Sequence, residues 1–269
     1  MAETPMAETP MAETLHGRFA WYELMTTDPD AAEGFYTRVV GWGTQPFPGL
    51  ETPYTAWTAH DQPIGGLMEL PPEARAGGAP PSWMPYIAVT DVDATIEEAK
   101  ALGGRPEAGP REIPHEGRFA VLSDPQGAVF AILQPSDPGR YEPETVPAPL
   151  EISWRELATT DREAATDFYS ALFGWERQNA SDMGEPVGLY QEFGRPGLPL
   201  GGIYRKPDDV PSPPHWLLYA KVLDIEASLA AARAGGGKVL TGPMETPGGD
   251  RIAQILDPQG AAFALHQVP

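Results

Sequence analysis

The chain contains the same stretch of sequence twice, and this duplication constrains its fold more than any other feature. Residues 21–28 read WYELMTTD, and residues 154–161, which lie 133 positions later, read WRELATTD. Three further motifs return at the same offset: Phe35-Tyr36, Gly41-Trp42 and the DPQGA stretch of residues 124–128. The pair Gly65-Gly66 returns as Gly201-Gly202, which implies a short insertion that is compensated before Trp216. A register held over such a length indicates tandem duplication of one domain.

The duplication divides the chain into four segments. Residues 1–15 repeat a short polar motif without a packing pattern and are predicted to be a disordered tail. Residues 16–134 form the first domain, residues 135–149 a proline-rich acidic linker, and residues 150–269 the second domain. At this length each domain is expected to bury its own core.

Each domain again divides into two similar halves. In the first domain, residues 18–26 alternate like a strand, and Asp28 is placed to cap a helix over residues 31–39. Strands follow over residues 54–59 and 64–70. The second half begins with a strand over residues 84–90, a helix over 94–102 capped by Asp91, and strands over 118–122 and 129–133. The order predicts an α+β fold with β-α-β-β-β modules, two per domain.

Charge and composition exclude several classes of partner. The net charge of −20 repels nucleic-acid phosphates and anionic membranes, so neither is expected to bind. No apolar run is long enough to cross a membrane, and no signal-peptide pattern is present. The absence of cysteine removes disulfides and thiolate chemistry, and it agrees with a cytoplasmic protein.

The module order resembles the vicinal oxygen chelate superfamily, whose members include glyoxalases, extradiol dioxygenases and bleomycin-resistance proteins. The resemblance rests on Phe-Tyr in the first helix, Gly-Trp after it and Asp-Pro-x-Gly before the last strand, and it covers residues 17–268. It implies four βαβββ modules that form two glyoxalase-like domains with open-barrel cavities. A monomer is expected, in which the two domains pair as the subunits of a dimer do. The same fold serves isomerases, oxygenases and passive drug binders, so it does not define the function.

The resemblance also implies where a divalent metal would be held, on the first and last strands of the modules. Those positions carry indole, thioether and alkyl side chains: Trp21, Trp154, Met84, Leu217, Ala131 and Ala264. Such groups do not bind cations that need imidazole, carboxylate or carbonyl donors. The five histidines are not spaced to replace them. We therefore expect no metal ion and no cofactor.

Strand alternation instead predicts an aromatic cavity with one carboxylate in each domain, because residues two apart share a face. The candidate catalytic residues are Glu23, Glu156 and His266. The candidate ligand-binding residues are Trp21, Trp154, Met25, Tyr86, Tyr219, Lys221 and Gln254. Burial beside an indole should raise the pKa of a glutamate and suit it to acid/base work. The second domain is the more polar one, since Gln254 replaces Val121.

Simpler interpretations of the same residues remain open. The glutamates are also suited to a structural role, as acceptors for backbone N–H groups or for an arginine such as Arg118 or Arg251. The two tryptophans are equally suited to core packing, and His266 lies close enough to the end of the sequence to be solvated.

Three functions are compatible with this sequence. The first is metal-independent binding of a flat or amphiphilic organic compound, for drug sequestration or secondary-metabolite processing. The second is a glyoxalase- or lyase-type enzyme that uses a cavity glutamate as acid/base, with or without a divalent metal. The third is a protein-interaction role in which the cavities are vestigial. Aromatic walls with few polar groups favour the first.

Overall fold

A computed structural model describes residues 15–50, 52–140 and 145–269 of the chain. The predicted disordered tail lies outside these ranges except for Leu15, which is buried. Residues 141–144 of the predicted linker also lie outside them. No helix in the described ranges combines the length and the apolar character needed to cross a membrane.

The first eight-stranded sheet is formed by residues of the first domain, in the order β2-β3-β4-β1-β5-β8-β7-β6. At its centre β1 and β5 are antiparallel, while β1 pairs in parallel with β4 and β5 with β8. The strands are β1 (Phe19–Thr26), β2 (Gly43–Pro46), β3 (Thr55–Ala59), β4 (Gln62–Glu69), β5 (Ser82–Ala88), β6 (Arg105–Ile113), β7 (Gly117–Ser123) and β8 (Val129–Pro135). The helices are α1 (Pro29–Val39), α2 (Pro72–Ala76) and α3 (Val92–Ala101).

The second sheet repeats this arrangement in the order β10-β11-β12-β9-β13-β16-β15-β14. A short 3-10 helix (Pro138–Arg140) lies between the two sheets in the sequence. The strands are β9 (Ile152–Thr159), β10 (Glu176–Asp182), β11 (Leu189–Arg195), β12 (Leu198–Arg205), β13 (His215–Lys221), β14 (Lys238–Glu245), β15 (Arg251–Leu256) and β16 (Ala262–Gln267). The helices are α4 (Arg162–Phe173) and α5 (Ile225–Ala234). The predicted α+β class with βαβββ modules is confirmed.

Aspartate caps explain why a helix follows the first strand of each module. The carboxylate of Asp28 accepts the backbone N–H of Ala31 at 3.0 Å, and that of Asp91 accepts the N–H of Ala94 at 3.0 Å. Asp161 and Asp224 do the same for α4 and α5. These bonds satisfy backbone donors that have no partner within the helix. The predicted caps of α1 and α3 are confirmed.

The sequence reasoning placed no strand at β2 or β6. Both are edge strands, and their residues are almost all exposed, as in the stretch RPEAGPREI of β6. An edge strand that buries neither face needs no alternation of apolar residues. The signal used for the other strands is therefore absent from these two.

The hydrophobic core is common to both domains, contrary to the expectation that each domain buries its own. The largest cluster of buried side chains contains residues from both sheets and from α1, α3, α4 and α5. The ring of Phe19 on β1 stacks at 5.1 Å on that of Trp175 in the second domain. Phe35 of α1 packs against Gly235 and Gly237 at the end of α5. The two sheets thus contribute to one core, against which each of these helices packs one buried face.

Reciprocal hydrogen bonds between the domains lie inside this core. Tyr36 on α1 donates its hydroxyl to Asp257 at 3.1 Å, and Tyr169 on α4 donates to Asp124 at 3.1 Å. Both aspartates belong to the repeated DPQGA turns, and burial raises their pKa values above the ordinary value. The repeated motifs therefore serve to join the two copies.

The repeated tryptophans make a second reciprocal pair of contacts. The indole of Trp42 donates to the carbonyl of Leu150 at 2.6 Å, and the indole of Trp175 donates to that of Gly17 at 2.7 Å. One contact breaks the symmetry, because Tyr22 and Arg155 occupy equivalent positions of the repeat. The Arg155 Nε donates to the Tyr22 hydroxyl at 2.8 Å, so a cation meets a phenol where the two copies face each other.

We expect Tyr36→Phe and Tyr169→Phe each to lower the free energy of unfolding by about 1–3 kcal/mol, because each removes the hydroxyl donor of a buried carboxylate. Urea denaturation followed by circular dichroism measures the change. The double variant should lose the sum of the two, since the two bonds share no partner. Unchanged stability in both single variants would contradict a joining role for these bonds.

Candidate functional site

Glu23 lies on the face of the first sheet opposite the common core, and its carboxylate is enclosed by tyrosines. Oε2 accepts the hydroxyl of Tyr54 at 2.8 Å, and Oε1 accepts that of Tyr86 at 2.9 Å. The indole of the half-buried Trp21 donates to the Tyr54 hydroxyl at 2.8 Å. The result is a continuous chain of hydrogen bonds from indole to carboxylate.

The second sheet repeats this chain with the equivalent residues. The Trp154 indole donates to the Tyr190 hydroxyl at 2.7 Å, and Tyr190 donates to Glu156 Oε2 at 3.1 Å. Tyr219 donates to Glu156 Oε1 at 3.2 Å, and Gln254 donates to the Tyr219 hydroxyl at 3.1 Å. We call the face that carries Trp21 and Glu23, or Trp154 and Glu156, the glutamate face of its sheet.

Tyr54 and Tyr190 are site residues that the sequence reasoning missed. The strand that pairs with the glutamate strand, β4 or β12, lies between each tyrosine and its glutamate. A glycine on that intervening strand leaves room for the tyrosine ring. A Cβ atom on Gly66 would overlap the side chain of Tyr54, and one on Gly202 would overlap the ring of Tyr190. The signal that could have found them is their spacing, because the two tyrosines share the shifted offset of the repeated glycine pair.

Burial controls the protonation of this site. It raises the pKa of Glu23 above its ordinary value, although the hydroxyls of Tyr54 and Tyr86 oppose the shift. It raises the pKa of Glu156 to about 7, against the opposing hydroxyls of Tyr190 and Tyr219. The hydrogen bonds that Glu156 accepts from its two tyrosines are longer than those that Glu23 accepts.

The six positions at which the family resemblance would put a metal do lie on the glutamate faces. Met84 and Ala131 belong to one apolar cluster there, with Trp21 packed against it. Leu217, Ala264 and Trp154 form the equivalent cluster of the second sheet. Their side chains offer no oxygen or imidazole donor, so they do not fit a divalent cation. Within the described ranges, no group of three or more histidine or acidic side chains is arranged to hold a metal.

The remaining predicted site residues lie around this network. Met25 packs against the apolar cluster of the first glutamate face. The Lys221 ammonium donates to the carbonyl of Pro147, in the predicted linker, at 3.0 Å. His266 contacts Ser153 and Asp250, and its ring is largely buried. The predicted site residues thus lie in the tyrosine–glutamate network or in the apolar cluster beside it, except for Lys221 and His266, which have other partners.

Neither Arg118 nor Arg251 holds a glutamate of the network, contrary to one interpretation of the sequence. Arg118 forms ion pairs with Asp93 and Glu112, and Arg251 pairs with Glu226. Both arginines lie beside the helix that follows the first strand of their own module. The acceptor role itself is present, but the donors are phenolic hydroxyls.

The loop between β2 and β3 covers part of the first glutamate face. Phe47 packs against Trp21, with ring centroids 6.4 Å apart, and against Tyr54 at 5.7 Å. A cleft of about 500 Å³ opens along this loop and is lined by Pro46–Leu50 and Thr52–Thr55. Because tyrosines enclose the carboxylates, the accessible part of each site lies near the half-buried indole.

Comparison with known proteins identifies the family. The model of the Glyoxalase/Bleomycin resistance protein/Dioxygenase superfamily matches residues 151–265, and that of the Glyoxalase-like domain matches residues 21–133. The chain belongs to the glyoxalase/bleomycin resistance/dioxygenase superfamily, as the sequence resemblance indicated.

Relatives and solved structures resemble the chain over nearly its whole length. "Putative glyoxylase CFP32" of Mycobacterium tuberculosis is 34% identical over 250 residues, which are 91% of this chain and 92% of that protein. "Anthracycline biosynthesis protein DnrV" of Streptomyces peucetius is 31% identical over 266 residues, 93% of this chain and 92% of that protein.

The solved structures are more distant in sequence and show the fold alone. The 2,3-dioxygenase LapB from Pseudomonas sp. KL28 has a TM-score of 0.63 at 13% identity and covers 94% of this chain and 93% of its own. The Mn(II)-bound glyoxalase from Novosphingobium aromaticivorans has a TM-score of 0.58 at 17% identity and covers 94% of this chain and 82% of its own.

The raised pKa of Glu156 makes stability depend on pH. In the folded protein this carboxyl keeps its proton up to about pH 7, whereas the unfolded chain releases it near 4.5. The folded state therefore binds more protons between these values, and its stability falls as the pH rises through them. Between pH 5 and pH 8 the contribution of Glu156 should fall by about 2.5 kcal/mol.

Glu156→Gln should remove this part of the decline, because the amide has no proton to release. Urea denaturation of both proteins across that pH range measures it. Since Glu23 is present in both, the difference between the two curves isolates Glu156. Parallel curves would show that Glu156 is ionised throughout.

We also expect Gly202→Ala to destabilise the protein by about 1–3 kcal/mol, because the new methyl group must displace the Tyr190 ring. Thermal unfolding measures this loss. The matched control is Gly34→Ala on helix α1, where the new Cβ would meet only the flexible end of Arg38. That control should be neutral or slightly stabilising.

Proposed function

We propose that the protein binds a flat or amphiphilic organic compound on its glutamate faces without a metal ion, in secondary-metabolite processing or in sequestration. The observation that carries this proposal is the duplicated chain of indole, tyrosine, glutamate and tyrosine. Both copies keep it, although the residues around it differ between them.

The chemistry of the face favours this class of ligand. A half-buried indole offers a surface on which a flat ring system can stack, and aromatic stacking adds to the gain from burial. The tyrosine–glutamate network beside it can exchange hydrogen bonds with a hydroxyl or carbonyl group of the ligand. The apolar residues at the positions of the family's metal ligands support a metal-independent mode of binding.

Two of the relatives support a polycyclic ligand. DnrV of Streptomyces peucetius and DauV of Streptomyces sp. strain C5 are both named anthracycline biosynthesis proteins, and DauV is 30% identical over 263 residues. An anthracycline has the flat ring system that the indole would accept. It is therefore the probe of choice for this site.

Glu156 favours a second candidate function, that of a metal-independent glyoxalase- or lyase-type enzyme. A carboxyl group with a pKa of about 7 can both accept and release a proton near neutral pH. Because tyrosines enclose the Glu156 carboxyl group, an enolisable or phenolic group of a bound compound would exchange its proton with Glu156 through the Tyr190 hydroxyl. The same residue would then act first as base and then as acid.

Isothermal titration calorimetry with an anthracycline tests the binding proposal without using a tryptophan as the reporter. We expect Trp154→Ala to weaken binding by about 10- to 100-fold, because an apolar surface worth about 1.5–3 kcal/mol is lost. Trp21→Ala examines the first glutamate face in the same way. The control is Leu223→Ala, at a side chain that is 76% exposed. Equal affinity in the wild type and both tryptophan variants would overturn the proposal.

Two further measurements separate the candidate functions. Metal analysis of protein purified without chelator, and titration with EDTA present, should show no bound ion and no change in affinity. Mass spectrometry of the compound after incubation distinguishes a binder, which returns it unchanged, from an enzyme. Conversion that Glu156→Gln abolishes would favour the enzyme.

A further inference from the structure

The second glutamate face carries a hydrogen-bonded row of serine, histidine and aspartate. Ser153 Oγ lies 2.7 Å from His266 Nδ1, and His266 Nε2 lies 3.1 Å from Asp250 Oδ2. When the neutral imidazole donates Nε2–H to Asp250, its Nδ1 is the acceptor for the serine hydroxyl. The Ser153 hydroxyl has a second, longer contact with the carbonyl of Tyr219 at 3.3 Å.

A strand irregularity explains how Ser153 reaches this face. The pairing of β9 with β13 shifts register between Tyr219 and Ala220, opposite Ser153. Both Ser153 and its neighbour Trp154 therefore turn toward the glutamate face. In the first domain the equivalent Ala20 packs against the apolar cluster of that face together with Trp21. The irregularity thus places a serine beside the indole of the second site.

His266 comes from β16, on the far side of β13 from Ser153. It pairs in register with Lys221, whereas the side chain of Ala220 points into the common core. The imidazole can therefore cross the backbone of β13 between Tyr219 and Lys221. Its side chain is 15% exposed and that of Asp250 is 34% exposed, so solvent reaches the row.

The first domain has the same backbone and none of the three groups. The residues equivalent to Ser153, His266 and Asp250 are Ala20, Leu133 and Gly117. Gly117 has a φ of 142°, and a Cβ there would overlap the carbonyl of Gln134, so that copy has no room for an aspartate. A polar row that is complete in one copy and wholly missing in the other is not required by the fold.

We propose that Ser153 is a nucleophile, activated by His266 and oriented through it by Asp250, that hydrolyses small carboxylic esters on the second glutamate face. Ser153 Oγ forms a bond to the ester carbonyl carbon while His266 Nδ1 takes the hydroxyl proton. The bond to the alcohol oxygen breaks as His266 returns that proton to it. Water then attacks the acyl-serine by the same route, which releases the carboxylic acid and the free serine.

The ester would present its acyl carbon beside the Trp154 indole, so an aromatic or apolar alcohol is favoured as the leaving group. The proposed ester and the ligand of the binding proposal would share the Trp154 indole, but the three reacting residues lie outside the tyrosine–glutamate network, and labelling of Ser153 is measured separately from binding. The two proposals can therefore fail separately.

A fluorophosphonate probe tests the nucleophile directly on the full-length protein. Attack by Ser153 breaks the P–F bond, forms a P–O bond and releases HF, and peptide mass spectrometry locates the adduct. We expect one adduct, at Ser153, and none there in Ser153→Ala. His266→Leu should slow labelling by about 100-fold, since it removes the general base. Hydrolysis of p-nitrophenyl acetate should fall in parallel.

The matched variants carry side chains that the first domain already accepts, namely alanine for Ser153 and leucine for His266. Ser181→Ala, at an exposed serine of β10, is the control and should label as the wild type does. Circular dichroism melting curves identify any variant that fails to fold, in which case Asp250→Asn provides the comparison. No adduct at Ser153, or equal ester hydrolysis in the wild type and Ser153→Ala, would overturn the proposal.

Discussion

The reciprocal tyrosine–aspartate bonds are the interaction on which the rest of the structure depends. Tyr36 and Tyr169 each reach across the common core to the turn of the other copy. Each aspartate accepts backbone N–H groups of its own turn at Oδ1 and receives at Oδ2 a tyrosine hydroxyl from the other copy. A buried oxygen that loses its donor is costly, so each copy completes the hydrogen bonding of a carboxylate in the other. These bonds hold the buried faces of α1 and α4 against the common core. The opposite face of each sheet, which carries the glutamate, takes no part in this core.

The glutamate faces of the two sheets carry the same hydrogen-bonded network but differ in the residues around it. Both copies keep an indole, a glutamate and two tyrosines, so the geometry of the network is common to them. The second copy adds Gln254 as a donor to Tyr219, and its glutamate accepts longer hydrogen bonds. Burial raises the pKa of both glutamates, that of Glu156 to about 7, and in both copies two tyrosine hydroxyls oppose the shift. The two copies therefore share the network and differ in the polar groups around it.

Much of the architecture could be predicted from the sequence. The fixed offset of the repeat, the aspartates before the helices and the alternation in β1 and β9 are local or periodic signals, and each led to an element that the structure contains. The edge strands β2 and β6 could not be predicted in this way, because exposed strands carry no apolar alternation. The common core was also missed, since a hydrophobic pattern shows that a face is buried but not what buries it.

The candidate site, too, could be predicted from the sequence only in part. By itself, the sequence determined which residues share a strand face, so Trp21 with Glu23 and Trp154 with Glu156 were found. Only the tertiary structure decided that Tyr54 and Tyr190 hold the carboxylates, and that Ser153, His266 and Asp250 meet. The physical reason is that these contacts join strands far apart in the chain, across glycines and an irregular register that no local pattern reveals. Alternation orients a side chain along its own strand, whereas its partners depend on how the strands pair.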